Sequence, residues 1–345
     1  MGMDIHHGAE QTDVAVIGGG PSGLFAAFYC GMRGLSCRLI ESLPQLGGQL
    51  TALYPEKFIY DVAGFSKIRA GDLIERLKAQ MMQFEPDIRL SEQVLKLEKL
   101  DERLFALHTT QGVHTAKAVI ICGGIGMFTP RKLPAAEAGD FEGRGIDYLM
   151  KETEAYRDKR VLVVGGGDSA VDYALMLEPV ARQVTLIHRR DQFRAHEHSV
   201  RRLYDSSINV HVFTELQAIL GGDRVEGATL LNNRTKETRE IAVDVILSGL
   251  GFSASLGPMK TWGLNIEGNE IVVNSRMETN IPGVFAVGDI NTYPGKVKLI
   301  VTGFGEATIA VNHAKTYIDP SARTNPGHSS SRTDMPVDRV TTGSR

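Results

Sequence analysis

Two glycine clusters carry the residue types most suited to ligand binding in this chain. They are Gly18-x-Gly20-x-x-Gly23 and Gly165-x-Gly167-x-x-Ala170, and each lies between an apolar run and an alanine-containing segment. In a strand–turn–helix unit the first glycine permits a tight turn, the second lets backbone approach a pyrophosphate, and the third lets helix and strand pack closely. N–H groups at the start of the helix then favour negative charge. Each cluster predicts a dinucleotide-binding turn.

The two clusters differ in the residue that should meet the ribose. Glu41 stands 23 positions after Gly18 (41 − 18 = 23), and the same step from Gly165 reaches His188, which precedes Arg189 and Arg190. A carboxylate bonds ribose hydroxyls and repels a 2′-phosphate, whereas guanidinium groups bind a phosphate bidentately. The first unit therefore suits FAD or NAD and the second suits NADP, with Arg194 as a further cation.

A third signal is an apolar strand that delivers Asp289 to the edge of a sheet. Residues 284–289 read Val-Phe-Ala-Val-Gly-Asp, and an Asp in this place can bond a ribityl hydroxyl. One flavin site and one NADP site together predict hydride transfer, with the flavin doing the chemistry. No catalytic acid, base or nucleophile is required, and no metal-ligand spacing occurs.

Apolar runs and helical patterns give the elements that must position these residues. Helices are predicted at Leu24–Met32, Ala70–Phe84, Val171–Leu177 and Gly303–Tyr317. Strands are predicted at Asp13–Ile17, Leu35–Ile40, Val94–Glu98, Leu104–Thr109, Ala118–Cys122, Arg160–Val164, Gln183–Ile187, Ile208–Phe213, Ala242–Leu247, Ile271–Val273 and Val284–Val287. Strands that alternate with helices predict an α/β fold with parallel sheets.

The repeated pattern predicts two Rossmann-like domains, one inserted into the other. The FAD-binding domain comprises residues 1–123 and 251–345, with a C-terminal tail from about residue 321, and the NADP-binding domain comprises 124–250. The expected hinges are Gly123-Gly124 and Gly249-Leu250-Gly251.

Composition excludes several other classes. The chain has 345 residues, 42% of them hydrophobic, and a formal net charge of −3, so a globally basic nucleic-acid binder is excluded. The three cysteines form no CxxC pair, no run of eighteen apolar residues occurs, and the N-terminus does not resemble a signal peptide. We expect a cytoplasmic protein without a membrane span.

With these motifs, the sequence resembles the thioredoxin reductase superfamily of flavoproteins from Thr12 to about Ser331. It is most similar to the bacterial ferredoxin–NADP reductases of thioredoxin-reductase type. The anchors of this resemblance are Gly18–Gly23, Glu41, Gly47-Gly48-Gln49, Gly165–Ala170, His188-Arg189-Arg190-x-x-x-Arg194-Ala195 and Gly288-Asp289.

The resemblance implies further site residues. Tyr54 would stack on one face of the flavin and His328 would cover the other, although the tail composition by itself predicts disorder. The FAD residues implied are Gly18, Gly20, Gly23, Glu41, Gln49, Tyr54, Val94, Phe128, Asp289, His328 and Ser330. The NADP residues implied are Gly165, Gly167, Ser169, Arg189, Arg190 and Arg194.

The resemblance also implies a reaction and its partners. NADPH would reduce the flavin, which would pass single electrons to ferredoxin or flavodoxin, in a homodimer. Thioredoxin reductases carry a redox CxxC, but Leu149 and Glu152 stand at those two positions, so disulfide reduction has no route here. Two alternatives remain: an NADPH-dependent reductase of a small molecule such as a quinone, and a flavin-holding redox sensor or scaffold.

Overall fold

The computed structural model describes residues 11–331, apart from the side chains of residues 128, 129, 253, 254 and 331. Its helices are α1 Pro21–Met32, α2 Gln49–Ala52, α3 Ala70–Met82, α4 Asp168–Leu177, α5 Glu197–Tyr204 and α6 Ile300–Ile318. Short 3₁₀ turns lie at Ala136–Phe141, Thr153–Tyr156, Gly257–Thr261, Gly288–Ile290 and Ser329–Ser331.

The strands are short, as is usual in α/β proteins. In chain order they are β1 Thr12–Ile17, β2 Cys37–Ile40, β3 Phe58–Ile59, β4 Ile68–Arg69, β5 Asp87–Arg89, β6 Val94–Asp101, β7 Leu104–Thr109, β8 Val113–Ile121, β9 Met127–Pro130, β10 Ile146–Asp147, β11 Arg160–Val164, β12 Gln183–Ile187, β13 Asn209–His211, β14 Thr214–Gly221, β15 Val225–Asn232, β16 Thr238–Ala242, β17 Val245–Ser248, β18 Phe252–Ser255, β19 Ile266–Glu267, β20 Glu270–Val272, β21 Val284–Ala286 and β22 Asn291–Thr292.

The chain divides into two compact units. Unit 1 comprises residues up to Met127 together with those from Ser255 onward, and unit 2 comprises Phe128–Ala254. The expected boundaries were 123/124 and 250/251. At each crossing, the change of unit lies four residues after the expected boundary. These crossings lie within β9 and β18, which pair with each other as a two-stranded sheet.

Unit 1 is built on a seven-stranded sheet in the order β5-β2-β1-β8-β7-β6, with β21 also paired to β8. Strands β5, β2, β1, β8 and β21 are parallel, and β7 and β6 continue the sheet antiparallel. The central parallel strands are continuous apolar runs, for example Val14–Ile17 and Ala118–Ile121, because both of their faces are covered. Helix α1 packs against α3 and α6.

Unit 2 contains a five-stranded parallel sheet in the order β10-β17-β11-β12-β13 and a separate antiparallel sheet, β14-β15-β16. Helices α4 and α5 pack against each other. The β11–α4–β12 segment repeats the arrangement of β1–α1–β2. In each sheet the strand order reverses at the first strand of this segment, beside its glycine turn. Open parallel sheets bind ligands at the carboxyl ends of such strands.

Candidate functional site

The first glycine cluster forms the turn between β1 and α1. Gly18 has φ +106°, and a Cβ on it would lie 2.4 Å from the carbonyl oxygen of Cys122. A Cβ on Gly23 would lie 1.8 Å from the carbonyl oxygen of Gly18. By contrast, nothing lies within 4 Å of the place that a Cβ on Gly20 would take. Gly18 and Gly23 are therefore required by packing, whereas Gly20 leaves open space at the start of α1.

The start of α1 fits a diphosphate. Gly20 is its N-cap, no side chain caps the helix, and no acidic residue stands in its first turn. The N–H groups of this turn have no partner within the helix, and they carry the positive end of the helix dipole. Negative charge bound here would satisfy them.

Glu41 follows β2 and joins two loops of unit 1. Its side chain is only 5% exposed. One carboxylate oxygen, Oε2, accepts the N–H of Gly19 at 2.6 Å, and Oε1 accepts the N–H of Leu43 at 2.8 Å and the hydroxyl of Ser42 at 3.1 Å. Glu41, which is predicted to bind the ribose, thus lies at the glycine turn and also holds that turn in place.

Gln49 and Tyr54 belong to a loop that contacts the same turn. The N–H of Gly47 donates to the carbonyl of Gly19 at 2.8 Å, and Gln49 is the first residue of α2. Tyr54 is half-buried. Burial raises the pKa of Tyr54, nearby Lys57 opposes the shift, and the Asp289 carboxylate adds to it. Tyr54 and Asp289 therefore influence each other electrostatically.

Asp289 lies in the turn that follows β21. Burial raises the pKa of its carboxyl, while Lys296 and Lys298 oppose that rise. A Cβ on the preceding Gly288 would lie 2.9 Å from the hydroxyl of Ser22, the second residue of α1. Asp289, which is predicted to bind the ribityl chain, therefore directly follows a residue that lies beside the start of α1.

A buried ion pair beneath Asp289 was missed by the sequence analysis. Lys296 and Glu306 are 2.5 Å apart with side chains 6% and 3% exposed. Glu306 accepts the N–H of Gly288 at 2.7 Å, and Lys296 donates to the carbonyl of the same residue at 2.9 Å. The hydroxyl of Tyr293 also donates to Glu306, at 2.8 Å. These contacts fix the Gly288 peptide from both sides. The one acidic residue within the apolar helix α6 was the available signal.

The remaining residues predicted for the first site are less connected to it. Val94 is buried at the start of β6, two residues after Glu92, whose N–H donates to the carbonyl of Glu41 at 2.9 Å. The side chain of Phe128 lies outside the described residues. His328 and Ser330 are exposed. Their contacts with a flavin stay predictions.

The tail that carries His328 is held at the other end of α1. The guanidinium of Arg33 donates to the carbonyls of Arg323, at 2.6 Å, and Thr324, at 3.4 Å. Arg33 directly follows α1, which has 12 residues. At 1.5 Å per residue, this point is about 18 Å along the helix from the glycine turn.

The second glycine cluster forms the corresponding turn between β11 and α4 in unit 2. A Cβ on Gly165 would lie 2.4 Å from the carbonyl oxygen of Gly249, and nothing lies within 4 Å of a Cβ on Gly167. Ala170 packs where the first cluster has its third glycine. Ser169 is half-buried in the first turn of α4. The first glycine of each turn is therefore packed against a backbone carbonyl, and the second glycine of each turn faces open space.

Three exposed arginines, Arg189, Arg190 and Arg194, follow β12. The N–H of Arg194 donates to the carbonyl of Gly166 at 2.8 Å, so the loop folds back onto the glycine turn. Burial lowers the pKa of His188; the carbonyl of Gln192 opposes the shift and the three arginines add to it. Within residues 11–331 none of the three guanidinium groups has a carboxylate within 4.0 Å. Exposed guanidinium groups of this kind can bind an anion such as a phosphate.

The three cysteine thiols lie in the core of unit 1. Cys30, Cys37 and Cys122 are buried and free, and burial raises the pKa of the Cys122 thiol well above its usual range. Among the described residues, no group of three His, Cys, Asp or Glu side chains could hold a metal ion. Within the same range, every helix is too short or too polar to cross a membrane.

Comparison with known sequences assigns the family. A family model described as pyridine nucleotide-disulphide oxidoreductase matches residues 12–314, and the chain belongs to this family. Ferredoxin–NADP reductase 2 of Shouchella clausii (strain KSM-K16) is 55% identical over 323 residues, covering 93% of this chain and 98% of the relative. The ferredoxin–NADP reductase of Geobacillus thermodenitrificans (strain NG80-2) is 52% identical over 330 residues, covering 95% and 99%.

Solved structures agree on the fold. Thioredoxin reductase of Lactococcus lactis aligns with a TM-score of 0.72 at 28% identity, covering 89% of this chain and 99% of that one. Thioredoxin reductase of T. acidophilum aligns with a TM-score of 0.73 at 25% identity, covering 90% and 99%. The predicted α/β fold with two Rossmann-like domains is confirmed, as is the prediction of an oxidoreductase with FAD and NADP(H) as cofactors.

Proposed function

We propose that this chain is a ferredoxin–NADP reductase, which moves electrons between NADPH and ferredoxin by way of bound FAD. The observation that carries the proposal is the opposite charge beside two similar glycine turns. The Glu41 carboxylate accepts an N–H of the first turn at 2.6 Å, and the backbone N–H of Arg194 donates to the second turn at 2.8 Å from a loop of three exposed arginines. The relatives named ferredoxin–NADP reductase support ferredoxin as the partner.

In the first unit the chain would bind and orient FAD. The open space at Gly20 and the uncapped start of α1 receive the diphosphate, Glu41 the ribose, and Asp289 the ribityl chain. Gln49, Tyr54, Val94 and Phe128 line the remainder. Bound flavin supplies the link between two-electron nicotinamide chemistry and one-electron transfer to an iron–sulfur centre. The protein contributes position and electrostatics rather than an acid or base.

In the second unit the chain would bind NADP(H). Gly165, Gly167 and Ser169 receive the diphosphate at the start of α4, and Arg189, Arg190 and Arg194 receive the 2′-phosphate. The lowered pKa of His188 keeps that ring neutral, so the positive charge of the loop belongs to the arginines. A neutral ring does not add to their mutual repulsion.

We further propose a cytoplasmic homodimer in which the tail of one protomer covers the flavin of its partner. Three free thiols suit a reducing compartment. The tail is fastened at Arg33, and from Thr324 to His328 an extended chain spans only about 13 Å. This is less than the length of α1, so His328 does not reach the glycine turn of its own chain from this anchor, which is consistent with a role for the tail in a second copy.

Steady-state turnover with two acceptors tests the proposal. FAD-loaded protein is assayed with NADPH and either purified ferredoxin or a small quinone, and kcat/KM is compared. We expect efficient ferredoxin reduction. Fast quinone reduction with negligible ferredoxin reduction would instead establish the small-molecule reductase. Failure of NADPH to reduce the bound flavin would establish a sensor or scaffold.

A further inference from the structure

A hairpin turn that the proposed function does not use is attached to the arginine loop of unit 2. Strands β15 and β16 are joined by residues 233–237. The side-chain amide of Asn233 donates to the carbonyl of Arg189 at 2.9 Å, and its backbone N–H donates to the carbonyl of Phe213 at 2.8 Å. The N–H of Thr214 donates to the carbonyl of His188 at 2.9 Å. Three chain segments distant in sequence therefore meet beside Arg189.

The next residue of this turn, Arg234, has a guanidinium group that is already oriented. Its central carbon lies 4.1 Å from the centre of the Phe213 ring, and its backbone N–H donates to the side-chain oxygen of Asn232 at 2.9 Å. A cation held against an aromatic face has lost much of its freedom before any ligand arrives. Arg234 is exposed, and among the described residues no carboxylate lies within 4.0 Å of its guanidinium.

The acidic side chains near this turn do not neutralise the charge of Arg234. The Glu215 carboxylate accepts the Asn233 amide at 2.8 Å, and Glu237 accepts the Thr235 hydroxyl at 3.1 Å. Asp191 is exposed next to Arg190. A ribose 2′-phosphate carries about −1.5 to −2 charges at neutral pH, so it can bind more than one guanidinium.

We propose that Arg234 is a further cation of the 2′-phosphate site and raises the preference of the enzyme for NADP(H) over NAD(H). This inference rests on the proposed function, because it takes the arginine loop as the NADP site. Asn233 fastens the turn to Arg189, so that Arg234 faces the same phosphate as Arg189 and Arg190.

Binding of adenosine 2′,5′-bisphosphate to the FAD-loaded full-length protein tests the inference by calorimetry. For Arg234→Ala we expect affinity to fall about 5- to 20-fold, the loss of one charge-assisted contact at an exposed site. Arg234→Lys keeps the charge but loses the planar fork and part of the stacking, so it should recover only part of the affinity. Raising the salt concentration should reduce the difference between wild type and Arg234→Ala.

The matched control is Lys236→Asn, which removes one positive charge from the same hairpin. Lys236 has φ +66°, a conformation that asparagine tolerates. This variant should bind the bisphosphate as wild type does. Unchanged binding by Arg234→Ala would overturn the inference. So would equal losses of kcat/KM for NADPH and NADH, because Arg234 would then not contact the 2′-phosphate.

Arg190→Ala distinguishes failure of this inference from failure of the proposed function. If Arg190→Ala weakens bisphosphate binding and Arg234→Ala does not, only the role of Arg234 is wrong. If neither variant weakens it, the arginine loop is not the 2′-phosphate site.

Discussion

At the scale of single residues, the two units differ most at the end of their second strands. β2 is followed by Glu41, which is buried and accepts three hydrogen bonds, whereas β12 is followed by His188 and exposed arginines. The carboxylate disfavours a 2′-phosphate and the guanidinium groups attract one. This difference at one position of a repeated unit is the basis for proposing FAD in the first unit and NADP(H) in the second.

Glu41→Ala should reduce FAD retention and leave NADP binding unchanged. It should also lower the stability of the apoprotein by about 1–3 kcal/mol, because the N–H groups of Gly19 and Leu43 lose a buried acceptor. Flavin content after dialysis, urea unfolding of the apoprotein and bisphosphate binding report the three effects separately. Full flavin occupancy in the purified variant would contradict the role of Glu41.

Asp289→Asn should separate function from stability. Because burial raises the carboxyl pKa, folding favours the protonated form, and the ionised form present at neutral pH lowers stability. The penalty is absent below the unfolded-state pKa, grows between the unfolded-state and folded-state pKa values, and is complete above the folded-state pKa. The amide should therefore leave the apoprotein as stable at pH 7, or up to about 1 kcal/mol more stable, while weakening FAD binding. A large loss of apoprotein stability at pH 7 would contradict this reasoning.

At the scale of elements, the loop after β22 and the helix α6 together hold the turn formed by Gly288 and Asp289. Glu306 accepts the N–H of Gly288 and Lys296 donates to its carbonyl, so the pair determines where Asp289 lies. Removing one partner of a buried ion pair leaves an uncompensated charge in the interior, which is far more damaging than losing an exposed pair.

Lys296→Met should lower stability by about 3–5 kcal/mol and reduce FAD occupancy, since Glu306 would remain buried without its cation. Lys298→Met is the matched control, because Lys298 pairs with Glu270 at the surface, with side chains 43% and 26% exposed. Its effect on stability should be at most about 1 kcal/mol. Denaturant unfolding and flavin content measure both variants. Similar losses in the two would mean that the buried pair does not hold the turn.

Elements built from uniform apolar runs could be predicted from sequence, whereas those shaped by tertiary contacts could not. Strands β7, β11 and β12 have the predicted bounds. The prediction of one strand over Ala242–Leu247 was wrong: β16 ends at Ala242 and β17 begins at Val245. Asp244 interrupts them by accepting the backbone N–H of Arg160 at 2.7 Å and its guanidinium at 2.6 Å.

Other elements gave no usable pattern. Helix α5 and the antiparallel sheet β14-β15-β16 were not predicted as such, because α5 is short and largely polar and the strands lack strict alternation. The glycine turns, Glu41 and the arginine loop follow a fixed spacing, and the structure places Glu41 and Arg194 against the turns that the spacing predicts. The contact between Lys296 and Glu306 joins a loop to helix α6, and no periodic sequence pattern predicts such a contact.

At the scale of the whole molecule, the proposed homodimer gives the C-terminal tail a role at the flavin of the partner. Residues 323–330 are exposed in the single chain, and Arg33 is the side chain that bonds to their carbonyls. Ending the chain at Ala322 should therefore leave the fold and FAD binding largely intact. Flavin fluorescence and oxygen reactivity should rise and ferredoxin turnover should change. If all three matched the full-length protein, the tail would have no role at the flavin.

The proposed function requires one chain to hold FAD in the first unit and to discriminate NADPH by its 2′-phosphate in the second. Anaerobic stopped-flow reduction of the bound flavin by NADPH and NADH, in the wild type and in Arg190→Ala, tests it most directly. We expect the wild type to react far more efficiently with NADPH. Arg190→Ala should lower the efficiency with NADPH by roughly 10- to 150-fold, which corresponds to about 1.5–3 kcal/mol, and barely alter that with NADH. Equal losses with both nucleotides, or no preference in the wild type, would contradict the account.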